Sequence, residues 1–124
     1  MLSKYNLLVV EDDMDGAEVI EWMLHTKRAK TTVVMTGEEA LDQLANEPTA
    51  FSAVLIDLAL PQMDGFQVLA QVREHSGKHL PAIAMTAFHT PELRERALEA
   101  GFDAYVPKPI DQKLLINTIQ QLLN

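Results

Sequence analysis

Short apolar runs alternate with stretches of helical periodicity along the whole chain. The first run, residues 5–10, ends at acidic positions and is typical of a strand buried on both faces. Four further apolar runs predict strands at residues 32–35, 53–56, 81–85 and 104–106. Strands of this kind, separated by helices, indicate an α/β fold with a parallel sheet that is covered by helices on both faces.

Capping residues mark the helices that separate these strands. Apolar residues at helical spacing predict a first helix that ends within residues 27–30. Thr36 and Glu39 form a capping box that opens the second helix. The later helices begin at three predicted N-caps, namely Asp64, Thr90 and Asp111. Five helices therefore alternate with five strands, and the fourth helix is expected to close at Gly101.

Composition narrows the class of protein. A chain of 124 residues with 48% hydrophobic and 23% charged residues predicts a single globular domain over residues 1–124. The absence of cysteine excludes disulfides and thiol chemistry, and it fits a reducing, cytoplasmic setting. No apolar run approaches the ~20 residues that cross a membrane, so we expect a soluble protein. The net charge of −8 disfavours nucleic acid and anionic membranes as partners and favours a metal cation.

Polar residues follow the strands at the edge of the sheet where ligands bind in doubly wound folds. The first strand is followed by the acidic residues 11–13, and the third strand is followed by Asp57. Thr86 follows the fourth strand, and Lys108 follows the fifth between two prolines that restrict its backbone. Because clustered carboxylates repel one another, the sequence predicts a Mg²⁺ site at this edge.

Each of these residues also has an ordinary interpretation. Acidic residues at strand ends are commonly solvated loop residues, Thr86 suits a strand, and Lys108 could be a solubilising charge. Their convergence at one edge favours function over these interpretations. Asp13 and Asp15 are interpreted as helix-start residues rather than metal ligands. A calcium loop beginning at Glu11 is rejected, because its twelfth position is Trp22 instead of Glu.

Four separated motifs resemble those of receiver domains of two-component response regulators, including the chemotaxis regulators. The motifs are Leu-Val-Val-Glu-Asp-Asp, Leu-Ile-Asp-Leu-Ala-Leu-Pro-Gln-Met-Asp-Gly, Ala-Met-Thr-Ala and Tyr-Val-Pro-Lys-Pro. The resemblance extends over about the whole chain, and no hallmark residue is missing. It implies a flavodoxin-like sheet with the strand order 2-1-3-4-5.

The resemblance also implies a role for individual residues around the acidic cluster. Asp57 would be the phosphoacceptor and would share a Mg²⁺ ion with Asp12. Glu11 would act through water or as a weaker ligand, and the backbone carbonyl of Ala59 would complete the protein ligands. The side chain of Ala59 is a variable choice in such domains, but a backbone ligand is largely indifferent to it.

Further implied roles concern the phosphoryl group and the signal. Thr86 would bind one phosphoryl oxygen and Lys108 would neutralise another, with the Lys108–Pro109 bond in the cis form. Tyr105 would be a switch residue, expected to turn inward from a solvent-exposed rotamer on phosphorylation. The phosphodonor would be a histidine kinase or a histidine phosphotransfer protein. The output would be a downstream protein or an attached domain that binds the face of the fourth helix, fifth strand and fifth helix.

These roles agree with the chemistry of phosphoryl transfer. Its loose transition state places charge on the peripheral oxygens, so catalysis consists of positioning and of balancing that charge. The domain would catalyse only its own phosphorylation at Asp57 and a slow hydrolysis, and it would not be a metabolic enzyme.

Three competing interpretations fit less well. An aspartate-nucleophile Mg²⁺ phosphatase of the haloacid dehalogenase type would use Asp13, but it leaves Asp57 and the Pro-Lys-Pro segment unexplained. A flavodoxin-like nucleotide binder would need a phosphate loop of backbone donors, where this chain has carboxylates. A metal pair of His75 and His79 is disfavoured because Gly77 and Lys78 suggest a polar loop between them.

Overall fold

The computed structural model describes residues 2–75 and 79–123. The strands are β1 (Asn6–Val10), β2 (Lys30–Val34), β3 (Ala53–Asp57), β4 (Ala82–Thr86) and β5 (Ala104–Pro107). The helices are α1 (Met14–His25), α2 (Gly37–Asn46), α3 (Gly65–His75), α4 (Pro91–Ala100) and α5 (Gln112–Leu123). The strands form one sheet in the order β2-β1-β3-β4-β5, and all of its pairs are parallel. The predicted α/β fold and the strand order implied by the resemblance are both confirmed.

The sheet separates two apolar clusters, because successive side chains of a strand point to opposite faces. In β1, Leu8 and Val10 belong to the cluster that contains buried residues of α2, α3 and α4. Leu7 and Val9 belong to the cluster that contains buried residues of α1 and α5. All four side chains are fully buried, which explains why the strand is a continuous apolar run rather than an alternating one.

The predicted helix caps are present. The Thr36 side chain accepts a hydrogen bond from the Glu39 amide, and Thr90 accepts one from the Leu93 amide. The helix α4 closes at Gly101, which has a left-handed φ of 113° that disfavours other residues. Within the described residues, no helix is long and apolar enough to cross a membrane.

Some helices and strands begin or end at residues other than the predicted ones, because backbone hydrogen bonding rather than side-chain polarity sets these boundaries. The strand β2 begins at Lys30, earlier than predicted, because this edge strand continues its ladder through residues that are only half-buried or exposed. The helix α1 ends at His25, before the basic residues expected to close it, and Thr26 caps it. Asp57 and Thr86 are the last residues of β3 and β4, one position beyond the apolar runs that predicted these strands.

Candidate functional site

The carboxyl ends of β1, β3, β4 and β5 bring the predicted site residues to one edge of the sheet. Parallel pairing aligns Asp57 with Met85 and aligns Thr86 with Pro107. Lys108 follows directly, and its amide donates a hydrogen bond to the Thr86 carbonyl at 2.8 Å. The register of β4 and β5 therefore fixes the backbone position from which the Lys108 side chain extends.

Three carboxylates form the centre of the site. Glu11, Asp12 and Asp57 each offer an oxygen, and these oxygens lie within 4.8 Å of one another. Glu11 is fully buried and Asp57 is only 5% exposed, whereas Asp12 is exposed. The cluster therefore has a buried floor and one solvent-accessible side, through which a ligand can approach.

The Lys108 ammonium lies between the two buried carboxylates. Its Nζ donates to Asp57 Oδ2 at 2.6 Å and also to Glu11 Oε1. The Lys108–Pro109 peptide bond is cis, as the resemblance implied. The ammonium thus compensates charge that burial would otherwise make unfavourable.

The titration of these groups reflects both burial and their mutual contacts. Burial, together with the Asp57 carboxylate, raises the pKa of Glu11 to about 7 despite the nearby ammonium. Burial also acts to raise the pKa of Asp57, but hydrogen bonds with Glu11, Lys108 and the Ala59 amide hold that pKa below its ordinary value. Burial opposes the charge of Lys108, but its two carboxylate partners raise its pKa overall. Asp57 is therefore the carboxylate that stays ionised.

Backbone contacts hold Asp57 in place. Its Oδ1 accepts a hydrogen bond from the Ala59 amide at 2.8 Å. Gly65, the first residue of α3, lies so close that a Cβ there would be 2.6 Å from the Asp57 carbonyl oxygen and 2.7 Å from Leu58 Cα. Sequence reasoning quoted Gly65 only within a motif and gave it no role. Its signal was a glycine directly after the predicted N-cap Asp64, where close backbone approach is one reason for glycine.

Thr86 is almost fully buried, and its Oγ1 accepts a hydrogen bond from the Phe88 amide at 3.0 Å. That contact uses the oxygen as an acceptor and leaves the hydroxyl proton available for donation. The Thr86 side chain therefore has a fixed position and one donor at the edge where Asp57 lies.

Tyr105 does not occupy the solvent-exposed rotamer expected from the sequence. It is only 8% exposed, and its hydroxyl is hydrogen-bonded to His89 Nδ1 at 2.9 Å. The reason is that the loop between β4 and α4 places a polar partner beside the phenol. Tyr105 belongs to the same buried cluster as Ala97 of α4, so its side chain lies on the α4 side of the sheet. Sequence reasoning gave no role to His89, since nothing local connects it with β5.

Residues assigned to alternative sites have other partners. Asp13 is the N-cap of α1 and accepts from the Gly16 amide, and Asp15 lies in the first turn, as the sequence predicted. This capping contact gives the phosphatase interpretation no support. His75 contacts the Gln71 carbonyl and His79 contacts Asp103, while Gly77 and Lys78, which were predicted to form a polar loop, lie outside the described residues.

The donor set fits a divalent cation that prefers oxygen ligands. One open side suits an ion that keeps some of its water, as Mg²⁺ does. Glu11, Asp12 and Asp57 could hold such an ion. A bound cation there would neutralise part of the carboxylate charge.

A sequence model of the family "Response regulator receiver domain" matches residues 7–120, and the chain belongs to this family. Over 121 residues it is 40% identical to the Uncharacterized 14.6 kDa protein in sodA1 3'region of Leptolyngbya boryana, covering 97% of this chain and 91% of that protein. In an alignment of 139 positions it is 32% identical to Probable histidine kinase 4 of Oryza sativa subsp. japonica. This alignment covers 95% of this chain but only 14% of that protein. Receiver domains are signalling domains of two-component systems rather than metabolic enzymes.

Solved structures agree with this assignment. A putative response regulator from Chloroflexus aurantiacus superposes with a TM-score of 0.89 at 31% identity, covering 96% of this chain and 97% of that one. The receiver domain of sensor histidine kinase PA1611 from Pseudomonas aeruginosa superposes with a TM-score of 0.85 at 31% identity, with the same coverage. That structure has a magnesium ion coordinated in its active site cleft.

Proposed function

We propose that this chain accepts a phosphoryl group on the Asp57 carboxylate in the presence of Mg²⁺, and that the modification changes a partner-binding surface. The observation that carries the proposal is the contact of Lys108 Nζ with Asp57 Oδ2 at 2.6 Å within a cluster of three carboxylates. An ionised, anchored carboxylate beside a cation is the arrangement that an attacking group in phosphoryl transfer requires.

The proposed step is an in-line transfer. An oxygen of Asp57 attacks the phosphorus of the donor, a P–O bond forms, and the bond from phosphorus to the donor's leaving atom breaks. With a phosphohistidine donor that leaving atom is a ring nitrogen, which keeps the electron pair and takes up a proton. Lys108 balances charge on one phosphoryl oxygen, and the Thr86 hydroxyl donates to another. The Ala59 carbonyl is proposed as a further metal ligand.

We propose a histidine kinase or a histidine phosphotransfer protein as the donor, in the cytoplasm. Support comes from the relative of Oryza sativa, a probable histidine kinase, and from the receiver domain of PA1611. The proposed output surface is the face of α4, β5 and α5, because Thr86 and Lys108 lie at the ends of β4 and β5 beside these helices. The chain would act as one receiver unit over residues 1–124 and would hydrolyse its own acyl phosphate slowly.

Phosphorylation by a small phosphodonor tests the acceptor directly. We expect incubation with acetyl phosphate and Mg²⁺ to add one phosphoryl group, detected by intact mass, and we expect chelation of Mg²⁺ to prevent it. Asp57→Asn should remove the labelling, whereas Asp42→Asn, a change at an exposed carboxylate of α2, should not. Equal labelling of the Asp57→Asn variant and the parent would show that the acceptor is another residue.

A Thr86→Ala variant tests the link from acceptor to surface. It should still gain the phosphoryl group, because Asp57, Lys108 and the carboxylate cluster are unchanged. It should lose the NMR shifts that phosphorylation causes in the backbone amides of α4, because the variant has no hydroxyl at position 86 that could move toward the phosphoryl oxygen. Undiminished shifts in the phosphorylated variant would refute this coupling while leaving the acceptor assignment intact.

A further inference from the structure

The strongest unexplained contact lies between the loop that follows β4 and the face of β5. His89 is exposed to solvent, yet its Nδ1 is hydrogen-bonded to the hydroxyl of the buried residue Tyr105 at 2.9 Å. The two rings also touch, with centroids 5.4 Å apart and planes at 52°. A single exposed side chain therefore provides both a polar partner and a cover for the phenol.

The loop that carries His89 is held at both ends. On one side the Phe88 amide donates to Thr86 Oγ1, and on the other side Thr90 caps α4 by accepting from the Leu93 amide. Because both neighbours of His89 are tied down, the imidazole is presented at a set position over β5. Little further ordering is then needed to form the contact with Tyr105.

The phenol needs such a partner in order to remain buried. A buried hydroxyl without a hydrogen bond is unfavourable, since it loses contact with water and gains nothing in return. Burial raises the pKa of Tyr105 although Arg94 acts to lower it, so the hydroxyl keeps its proton. It can therefore donate to an unprotonated His89 Nδ1.

We infer that His89 is a positioning residue that holds Tyr105 in its buried rotamer before any phosphoryl group is present. The inference rests on the proposed function for its consequence in signalling, because Tyr105 then lies on the surface proposed to bind partners. In this chain the buried rotamer does not depend on phosphorylation alone. Phosphorylation of Asp57 would therefore shift the rotamer of Tyr105 less than it would in a chain that has no hydrogen-bond partner at position 89.

The rotamer can be measured on the unphosphorylated protein. The chain has two tyrosines, so a sample labelled with ¹³C-tyrosine gives two sets of ring signals, and Tyr5→Phe assigns them. The phenol carbon reports hydrogen bonding, and line broadening by a soluble gadolinium chelate reports exposure. Loss of one hydrogen bond of ordinary net strength should lower the ratio of buried to exposed Tyr105 by about fivefold.

Three variants separate the hydrogen bond from simple covering of the ring. His89→Leu removes the polar atom and should increase broadening of Tyr105. His89→Asn keeps a polar atom near the position of Nδ1 and should restore most of the parent signal. His25→Leu is the matched control, because His25 is another exposed histidine whose ring contacts a hydroxyl, that of Thr31 at 3.0 Å, and it should leave Tyr105 unchanged.

The outcomes are distinct from those for the proposed function. A Tyr105 signal in His89→Leu equal to that of the parent, or equal changes in the Leu and Asn variants, would overturn the inference. In the same samples, acetyl phosphate with Mg²⁺ should change Tyr105 exposure in His89→Leu more than in the parent. Intact mass records whether Asp57 was phosphorylated, so failure of phosphorylation contradicts the proposed function, and the unphosphorylated samples still decide the role of His89.

Discussion

Replacing Lys108 with methionine should destabilise the metal-free protein and increase its response to Mg²⁺. The ammonium is the partner of two buried carboxylates, those of Glu11 and Asp57. Methionine keeps an unbranched apolar side chain of similar length but removes the charge. The variant therefore leaves buried negative charge without its cation, and it frees the same carboxylate oxygens for a metal ion.

The expected loss follows from the geometry of the pair. At 2.6 Å, two unit charges attract by about 6 kcal/mol with an effective dielectric constant of 20. Desolvation offsets part of this attraction, and losing one partner of a buried pair costs about 3–5 kcal/mol. Because the Lys108 side chain is 19% exposed and Glu11 can take up a proton, we expect a loss of stability near the lower end of this range, about 3 kcal/mol.

Urea unfolding in EDTA and in Mg²⁺ measures both effects. A cation at 100 times its Kd stabilises the folded state by about 2.7 kcal/mol. At equal Mg²⁺ concentration, the free energy of unfolding of Lys108→Met should rise more than that of the parent. The reason is that the ammonium no longer competes with the metal ion for the carboxylates. Lys113→Met, at an exposed lysine of α5, should change stability by at most about 0.5 kcal/mol. The reasoning would be refuted if Lys108→Met lost no more stability than Lys113→Met does. It would also be refuted if Mg²⁺ stabilised Lys108→Met less than it stabilises the parent.

Three further predictions concern other parts of the molecule. Asp12→Asn should weaken Mg²⁺ binding in calorimetry by at least tenfold more than Asp15→Asn, since only Asp12 belongs to the carboxylate cluster, and equal effects would contradict this. Gly65→Ala should cost about 2–3 kcal/mol in urea unfolding and slow phosphorylation, because its Cβ would meet backbone atoms at 2.6 Å and 2.7 Å; unchanged stability would argue against the close approach. Ultraviolet titration of the Tyr5→Phe variant should show that Tyr105 ionises with a pKa above 10.0, because burial raises it. The contribution of this shift to stability is therefore complete below pH 10.0, and it is lost as the pH rises through the higher pKa of the folded state. Ionisation at 10.0 or below would show that the phenol is exposed.

Much of the fold could be predicted because it depends on local patterns. Continuous apolar runs such as residues 53–56 indicate strands buried on both faces, and capping residues such as Thr36 mark helix starts, whatever the rest of the chain does. The sequence also placed Asp57 and Lys108 at strand ends, which is enough to expect them at one edge of a parallel sheet. The order of the strands came from the resemblance to receiver domains, because local periodicity does not specify which strands are neighbours.

What required the tertiary structure is the set of contacts between distant parts of the chain. Lys108 contacts Glu11 across 97 positions, and burial of Glu11 beside Asp57 raises the Glu11 pKa, so that Asp57 is the carboxylate that stays ionised. The rotamer of Tyr105 is set by a histidine 16 positions earlier, and no local signal connects the two residues. The close approach of Gly65 to Asp57 arises only when α3 packs back onto the end of β3. Hydrophobic periodicity and capping act within a few residues and are encoded locally, whereas charge compensation, rotamer choice and backbone approach depend on distances that exist only after the strands have paired.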